Sequence, residues 1–278
     1  MERRQRELKK KVKRIALLAS LSALLAIGTT AAFLTSRDVA ENWFTVAKVD
    51  LDLTENFDEN KTLAAGEIIT KQPSIKNTGT VNQLFFAMVC VPVMNTTLVD
   101  GSGARIAPGG TVSPTTAADY RQDAEIFNLL STETSYETVT HTPEDSKFGT
   151  FNYNNTSGTS AGWHFLKTGA SFTVSQTNKL QGFVDGTYNV YFFGYNSWVA
   201  PDNSTIPIFD KLQLRSMVDG DIEGETVGQV TIRAYTVQAD ELNISNLAGN
   251  GSTTPYTKED LAQIFKVCVN REGITTGD

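Results

Sequence analysis

The pattern closest to a catalytic motif is Gly158-Thr159-Ser160-Ala161-Gly162, which matches the G-x-S-x-G sequence around the nucleophilic serine of many hydrolases. That motif requires a strand before it, a helix after it and a histidine far downstream. Here the motif lies in a polar stretch, precedes a predicted strand and has only His164 downstream. The sequence therefore does not favour a serine hydrolase.

Metal ligation is the second chemistry to consider, because the chain has two histidines, His141 and His164, and two cysteines, Cys90 and Cys268. A structural zinc site needs four nitrogen or sulfur ligands, and a catalytic one usually three. Cys90 lies in an apolar predicted strand, Cys268 in a predicted helix, and both histidines in or beside a polar segment. No pair has ligand spacing, so we expect neither a metal site nor a catalytic residue.

A third pattern partly matches a calcium-binding loop. Asp219, Asp221 and Glu223 with Gly224 fit the first half of such a loop, but the position of the bidentate glutamate is Val230. An acidic turn between two strands explains the run without a metal. We therefore expect no cofactor, and calcium bound at these residues is the alternative.

The two cysteines allow two interpretations. In an exported protein Cys90 and Cys268 could form one disulfide, because oxidising compartments favour that bond. Both also lie on apolar faces, where two buried thiols are equally compatible with the pattern. The sequence leaves both interpretations open.

Charge is distributed unevenly along the chain. Residues 1–14 hold eight of the 24 Lys and Arg residues and two of the 31 Asp and Glu residues, and residues 15–32 carry no charge. The rest of the chain therefore has 16 basic and 29 acidic residues, a net charge of −13. Such a surface repels phosphate, so non-specific nucleic-acid binding is excluded.

Residues 1–32 have the three parts of a secretory signal peptide. A basic stretch ends at Arg14, an apolar run of 13 residues covers 15–27, and small residues follow as far as Ala32. A membrane span needs roughly 20 apolar residues. We therefore predict cleavage between Ala32 and Phe33 and a secreted protein, extracellular or on the cell surface, with no membrane span after cleavage; an uncleaved anchor is the alternative.

Residues 45–278 have the pattern of a single β domain. Apolar residues alternate with polar ones in Trp43–Leu53, whereas Leu84–Val93 is apolar throughout, which predicts a strand buried on both faces. Further strands are predicted at 67–76, where Pro73 indicates an edge or a bulge, and at 163–166, 171–175, 187–195, 206–218 and 229–238. Many strands without a βαβ rhythm predict a mostly β fold, an antiparallel jelly-roll-like β-sandwich with a few short helices.

Two helices and one insertion complete the prediction. Thr257 and Asp260 resemble a capping box, and apolar residues follow at helical spacing as far as Cys268. A weaker helical pattern covers residues 118–130. Residues 131–161 are polar without a clear period, so we interpret about 95–162 as a loop-rich insertion in the domain.

Several short stretches, in their order along the chain, resemble the TasA/camelysin family of secreted proteins of Gram-positive bacteria, which a SipW-type signal peptidase processes. The resemblance covers about residues 20–95 and 187–240 and is carried by 28–33 (GTTAAF), 38–46 (DVAENWFTV), 54–57 (TENF), 65–67 (AGE), 77–81 (NTGTV), 206–210 (IPIFD) and 232–239 (IRAYTVQA). It implies a jelly-roll β-sandwich, export to the cell surface and self-association into extracellular matrix fibres, as in biofilms. Some family members are labelled metallopeptidases, although no zinc-site motif is visible here.

The N-terminal segment of the mature chain, residues 33–44, is the predicted assembly segment. It begins with Phe33 and Leu34 and continues with Val39, Trp43 and Phe44, which makes it apolar but too polar for a membrane anchor. An extended segment of this kind can pair with an open sheet edge of a neighbouring subunit. Packing on its own domain is the equal alternative.

The sequence therefore predicts a structural subunit of an extracellular fibre or biofilm matrix. A camelysin-type metallopeptidase is the second hypothesis. A monomeric surface adhesin is the third, with the insertion as its contact surface. In that case the aromatic side chains of 187–195 could bind sugar, although alternating aromatic residues in a strand are more often core.

Overall fold

A computed structural model describes the backbone of residues 36–37, 55–56 and 112–113 and residues 49–54, 64–110, 120–141, 145–155, 161–218, 228–239, 242 and 244–269. Their strands are β1 (Ser36–Arg37), β2 (Leu51–Asn56), β3 (Ile68–Thr70), β4 (Gln72–Asn77), β5 (Gln83–Thr96), β6 (Arg105–Ile106), β7 (Val112–Ser113), β8 (Gln122–Glu125), β9 (Phe127–Leu130), β10 (Tyr136–Thr138), β11 (Asn152–Asn154), β12 (Trp163–Val174), β13 (Gly186–Tyr195), β14 (Lys211–Leu214) and β15 (Thr231–Gln238). One α-helix, α1 (Lys258–Ile264), continues into a π-helical turn, Phe265–Val269.

The fold is mostly β, as the sequence predicts, and each ladder between these strands is antiparallel. The large sheet has the order β1-β15-β5-β13-β12, and β8 also pairs with the end of β5. Val93 of β5 pairs with Thr187 of β13 and with Glu125 of β8, so β8 lies on the same side of β5 as β15. The central strand β5 is thus paired along both edges.

Both faces of β5 are buried. Phe85, Ala87, Val89 and Val91 belong to one apolar cluster, and Leu84, Phe86, Met88 and Cys90 belong to a second. Successive side chains of a strand point to opposite faces, so an unbroken apolar run must be covered on both sides. The prediction of a doubly buried strand at Leu84–Val93 is confirmed.

The first cluster lies between the large sheet and two smaller ones, which have the orders β3-β14-β9 and β2-β4. Each smaller sheet contributes its inward residues, among them Ile75 of β4, Leu129 of β9 and Leu212 of β14. Pro73 lies in β4 at the register position opposite Glu55 of β2. This two-stranded sheet tolerates a proline because its strands have few ladder partners.

The second cluster lies between the large sheet and the C-terminal helix. The ring of Phe265 packs against Phe86 and Phe192, with centroid distances of 5.5 and 5.1 Å. Gly194 of β13 allows this approach, because a Cβ there would lie 3.3 Å from the Cβ of Leu261 and 3.1 Å from the Phe86 ring. The helix therefore replaces a second sheet on this face.

The predicted capping box at the start of α1 is confirmed. The Asp260 N–H donates to the Thr257 hydroxyl at 3.1 Å, and the Thr257 N–H donates to the Asp260 carboxylate at 3.0 Å. The same carboxylate accepts from the N–H groups of Ala248 at 2.8 Å and Gly249 at 2.9 Å. Burial alone would raise the pKa of Asp260, but these backbone hydrogen bonds hold it below its usual value.

The helix predicted at 118–130 is wrong. Residues 122–125 and 127–130 form strands β8 and β9, and β8 pairs with Val93–Thr96 of β5. The local helical pattern is weak, whereas the end of β5 offers unpaired main-chain groups that a strand can satisfy. Tertiary pairing has overridden the local preference.

The polar stretch 131–161 contributes to the core, although its sequence favours a surface insertion. Val139, Phe151 and Tyr153 are each at most 4% exposed and belong to the first cluster. The short strands β10 and β11 pair with each other, and β10 is exposed along its length. Isolated inward residues in short strands leave no period in the sequence.

Several strand boundaries also differ from the predicted ones. The two strands expected at 163–166 and 171–175 form one strand, β12, with irregularities between Phe165 and Lys167 and between Gly169 and Phe172. The strand expected at 206–218 is confined to Lys211–Leu214, and residues 43–48 lie outside the described part of the chain.

Among the described residues no helix is long and apolar enough to cross a membrane.

Replacing Asp260 with alanine tests the cap. The variant Asp260→Ala leaves three main-chain N–H groups without their acceptor, so we expect the free energy of unfolding in urea at pH 7 to fall by about 2 kcal/mol. The exposed Glu259→Ala in the same turn is the control and should cost less than about 0.5 kcal/mol. Because the folded pKa of Asp260 is lowered, its contribution is lost as the pH falls below 3.8. Equal losses for both variants would contradict this role.

Candidate functional site

Strand β15 is the last long strand at one end of the large sheet, and half of its main-chain groups point away from β5. The Ala239 N–H donates to the Asn82 carbonyl at 2.9 Å, and the register from Thr231 to Gln238 is uninterrupted. Since N–H and C=O groups alternate in direction along a strand, the odd-numbered residues bond to β5. Ile232, Ala234 and Thr236 therefore direct their main-chain groups to the outer edge.

A piece of the N-terminal segment lies on this outer edge. Ser36 pairs with Thr236 and Arg37 with Tyr235, in antiparallel orientation. The main-chain N–H and C=O of Thr236 point to the outer edge, so Ser36 and Thr236 form a hydrogen-bonded pair. Arg37 and Tyr235 then form the neighbouring non-hydrogen-bonded pair. In the described part of the chain, Ser36 and Arg37 are the residues that pair with the outer edge of β15.

Below this edge lies a fully buried polar network. The Thr236 hydroxyl donates to the Gln83 side-chain oxygen at 2.6 Å, and the Gln83 amide donates to the Asn77 side-chain oxygen at 2.7 Å. The Asn77 amide in turn donates to the carbonyls of Val81 at 2.8 Å and Val199 at 2.7 Å. The side chains of Asn77, Gln83 and Thr236 are 0% exposed.

The network connects β15 to β5 in the large sheet and to the start of β2 in the small sheet. The Gln83 amide also donates to the carbonyl of Asp50, next to β2, at 3.1 Å, and Gln83 itself begins β5. A satisfied buried network favours one arrangement of its strands, because any shift leaves a buried polar group without a partner. The network therefore holds β15 in position at the residue that pairs with Ser36.

Strand β12 forms the opposite end of the large sheet and differs from β15. It pairs with β13 through a ladder that two irregularities interrupt, and it is partly exposed along most of its length. Lys167 lies between the two irregularities, with its ammonium 6.0 Å from the centre of the Phe192 ring. Bulges and charged side chains protect an edge strand from pairing with another chain.

The two cysteines both lie in the second apolar cluster and are not bonded to each other. Burial raises the pKa of the Cys90 thiol to about 12, although the Arg233 charge opposes the shift. A thiol with this pKa is almost entirely protonated at neutral pH and is a poor nucleophile.

The two histidines occupy separate positions. The ring of His141 stacks on Phe148 at 3.9 Å, and burial lowers the pKa of His141. His164 lies 3.3 Å from the Asn196 amide, and burial again lowers its pKa. Among the described residues no group of three or more His, Cys, Asp or Glu side chains could hold a metal ion.

Other residues singled out from the sequence lie outside the described part of the chain. These are Ala32 and Phe33 at the cleavage site, Leu34, Val39, Trp43 and Phe44 of the assembly segment, Ser160 of the G-x-S-x-G motif, and Asp219, Asp221 and Glu223 of the acidic run. The cleavage and calcium predictions stay predictions. Only the backbone of Ser36 and Arg37 represents the assembly segment.

The aromatic strand β13 belongs to the core. Tyr188, Tyr191, Phe193 and Tyr195 are each at most 5% exposed and are divided between the two apolar clusters. The prediction that these alternating aromatic residues are core is confirmed.

The sequence does not indicate a buried carboxylate that the structure shows on β8. Glu125, 1% exposed, accepts from the Tyr191 hydroxyl, from the Asn189 amide at 2.9 Å and from the Gly149 N–H at 2.7 Å. Burial raises the pKa of Glu125, while these donors and the Arg215 charge oppose the shift. Arg215 also donates to the carbonyls of Glu125 at 2.9 Å and Ser146 at 2.8 Å, so the cluster holds residues 146–149 against the core.

The polar network below β15 also escaped the sequence analysis. A visible signal exists for Thr236, since it occupies an inward position in the alternating run Ile232, Ala234, Thr236. No signal identifies its partners, because Asn77 and Gln83 resemble ordinary turn and strand-end residues.

No protein-family model, curated protein or solved structure matches the chain.

The network predicts that replacing Thr236 of β15 costs more free energy of unfolding than replacing Thr231 of the same strand. Thr236→Val leaves the buried Gln83 oxygen without its donor, so the free energy of unfolding should fall by about 1 to 2 kcal/mol. The same change at Thr231, whose hydroxyl donates to Gly182 at 3.4 Å near the surface, should stay within about 0.5 kcal/mol. Urea unfolding of both variants measures the difference, and equal losses would show that the network is not stabilising.

Proposed function

We propose that this protein is a secreted structural subunit of an extracellular fibre or biofilm matrix. In this proposal the signal peptide is removed between Ala32 and Phe33, and residues 33–44 then join one subunit to the next by adding a strand to a sheet. The body of the subunit is a jelly-roll-like β-sandwich.

The observation that carries the proposal is the pairing of Ser36–Arg37 with β15. It supports an assembly role because the N-terminal segment is compatible with an extended strand at the edge of the large sheet. Main-chain hydrogen bonds supply the affinity in such strand addition. The same contact repeated head-to-tail between copies produces a filament when its rotation does not close into a ring.

Composition and resemblance support the same function. The segment 33–44 is apolar at its start and its end, and such a segment is more stable when paired or docked than in water. The short stretches that resemble the TasA/camelysin family favour an exported fibre subunit over a monomeric adhesin. The net charge of −13 on residues 33–278 favours solubility of the subunit before assembly.

Truncation tests the proposal most simply. Purified chains of residues 33–278 and 45–278 should both fold, but only the longer one should form fibres in negative-stain electron microscopy. Fibres from both chains would show that residues 33–44 are not the assembly segment. The absence of fibres from both would contradict the fibre function.

A single substitution separates main-chain pairing from side-chain contacts in the same assay. Ser36→Pro removes the N–H group that faces Thr236, so fibre formation should be strongly reduced. Ser36→Ala keeps that N–H and should form fibres at the rate of the unaltered chain. Equal rates for the two variants would show that this ladder position does not contribute.

A further inference from the structure

We infer that Asn250 is the deamidation site of this chain, and that the turn at residues 249–255 keeps it unreacted until the turn opens. Deamidation converts an asparagine into an aspartyl or isoaspartyl residue by an intramolecular reaction that consumes only water. The inference is independent of the proposed function, because it concerns a chemical modification of the chain rather than its assembly.

The sequence provides the reactive pair. Asn250 is followed by Gly251, and no other asparagine of the sequence is followed by glycine. In the reaction the Gly251 nitrogen loses its proton and attacks the side-chain carbonyl carbon of Asn250. The new C–N bond closes a succinimide ring, the bond to the amide nitrogen breaks, and that nitrogen leaves with the proton as ammonia. Water then opens the ring at either carbonyl. Glycine favours the attack because it has no Cβ to obstruct it.

Both reacting groups are hydrogen-bonded in the closed turn. The Gly251 N–H, whose proton must be lost, donates to the Thr254 carbonyl at 2.9 Å, and the Asn250 amide donates to the Thr253 hydroxyl at 2.9 Å. The side-chain oxygen of Asn250 accepts from three main-chain N–H groups, those of Ser252 at 2.9 Å, Thr253 at 2.9 Å and Thr254 at 3.0 Å. Attack requires the nitrogen to release its proton and the side chain to turn toward it, which breaks these bonds. The closed turn is therefore not a reactive geometry.

The turn is also fixed against the body of the fold. Gly251 has a φ of 68°, and a Cβ there would lie 2.4 Å from the ring of Trp198. The Trp198 N–H donates to the Gly251 carbonyl at 2.8 Å, and the Gly249 N–H donates to the Asp260 carboxylate at 2.9 Å. Gly249 and Gly251 are buried, while Asn250 between them is exposed. The reaction therefore waits for a local opening that separates the turn from Trp198 and Asp260, and its rate follows the open fraction.

The two products differ in their effect on the fold. An aspartate at position 250 presents a carboxylate oxygen to the same three N–H groups, so the turn can close again. An isoaspartate lengthens the main chain by a methylene carbon before Gly251, which has no free space against Trp198. The isoaspartyl chain therefore does not restore the turn, and Asp260 loses the Gly249 N–H as a donor. Since Asp260 caps α1, the modification weakens the cover of the second apolar cluster.

Site-specific deamidation rates test the protection. The purified full chain is incubated at mildly alkaline pH, folded or in concentrated urea, and the peptide that contains Asn250 is followed by mass spectrometry. The folded chain should react at least about tenfold more slowly than the unfolded chain. Equal rates would overturn the inference. A faster reaction in the folded chain would also overturn it, because the three N–H donors would then activate the side-chain carbonyl instead of protecting it.

A pair of variants tests whether the opening is local. Asp260→Ala removes the acceptor of the Gly249 N–H, so the rate at Asn250 in the folded chain should rise by roughly fivefold or more. Leu129→Ala, in the buried part of β9, costs at least as much free energy of unfolding but should leave the rate within about twofold. An equal acceleration by both variants would show that the reaction passes through global unfolding and would overturn the local opening. If either variant fails to fold, the comparison of the folded and unfolded unaltered chain decides the inference.

Discussion

The burial of β5 on both faces is the constraint on which the rest of the structure depends. Fourteen residues form this strand, and its first ten are buried. An apolar strand of this kind must be covered twice, and the chain covers it with small sheets on one side and with a helix and π-helical turn on the other. The aromatic strand β13 beside it has the same requirement, so the two clusters share the same pair of strands.

Because β5 is paired along both of its edges, the outer edges of the large sheet belong to β12 and to β15. One end, β12, carries irregularities and a lysine. The other end, β15, is regular, is supported from below by the Thr236–Gln83–Asn77 network and carries the two paired residues of the N-terminal segment. These differences connect the packing of the core to the proposed assembly, because the strand that the buried network supports is also the one whose regular outer edge pairs with Ser36–Arg37.

The features that repeat along the chain could be predicted, and the features that depend on distant residues could not. The run Leu84–Val93, the aromatic strand at 187–195 and the capping box at Thr257 each have a strong local pattern, and all three are present. Residues 122–130 have a weak helical pattern, yet they form strands because β5 offers its far end to them. The side chains of Asn77, Gln83 and Thr236 meet across 159 residues of sequence, and no spacing reveals that contact.

Solid-state NMR of fibres grown from an equal mixture of ¹³C-labelled and ¹⁵N-labelled chains, residues 33–278, tests the central claim most directly. Correlations between ¹⁵N and ¹³C nuclei then arise only between different chains. The account predicts an interchain correlation between the backbones of Ser36 and Thr236, in the register that the structure shows. Fibres whose Ser36 correlates between chains with β12, or with no residue of β15, would contradict it.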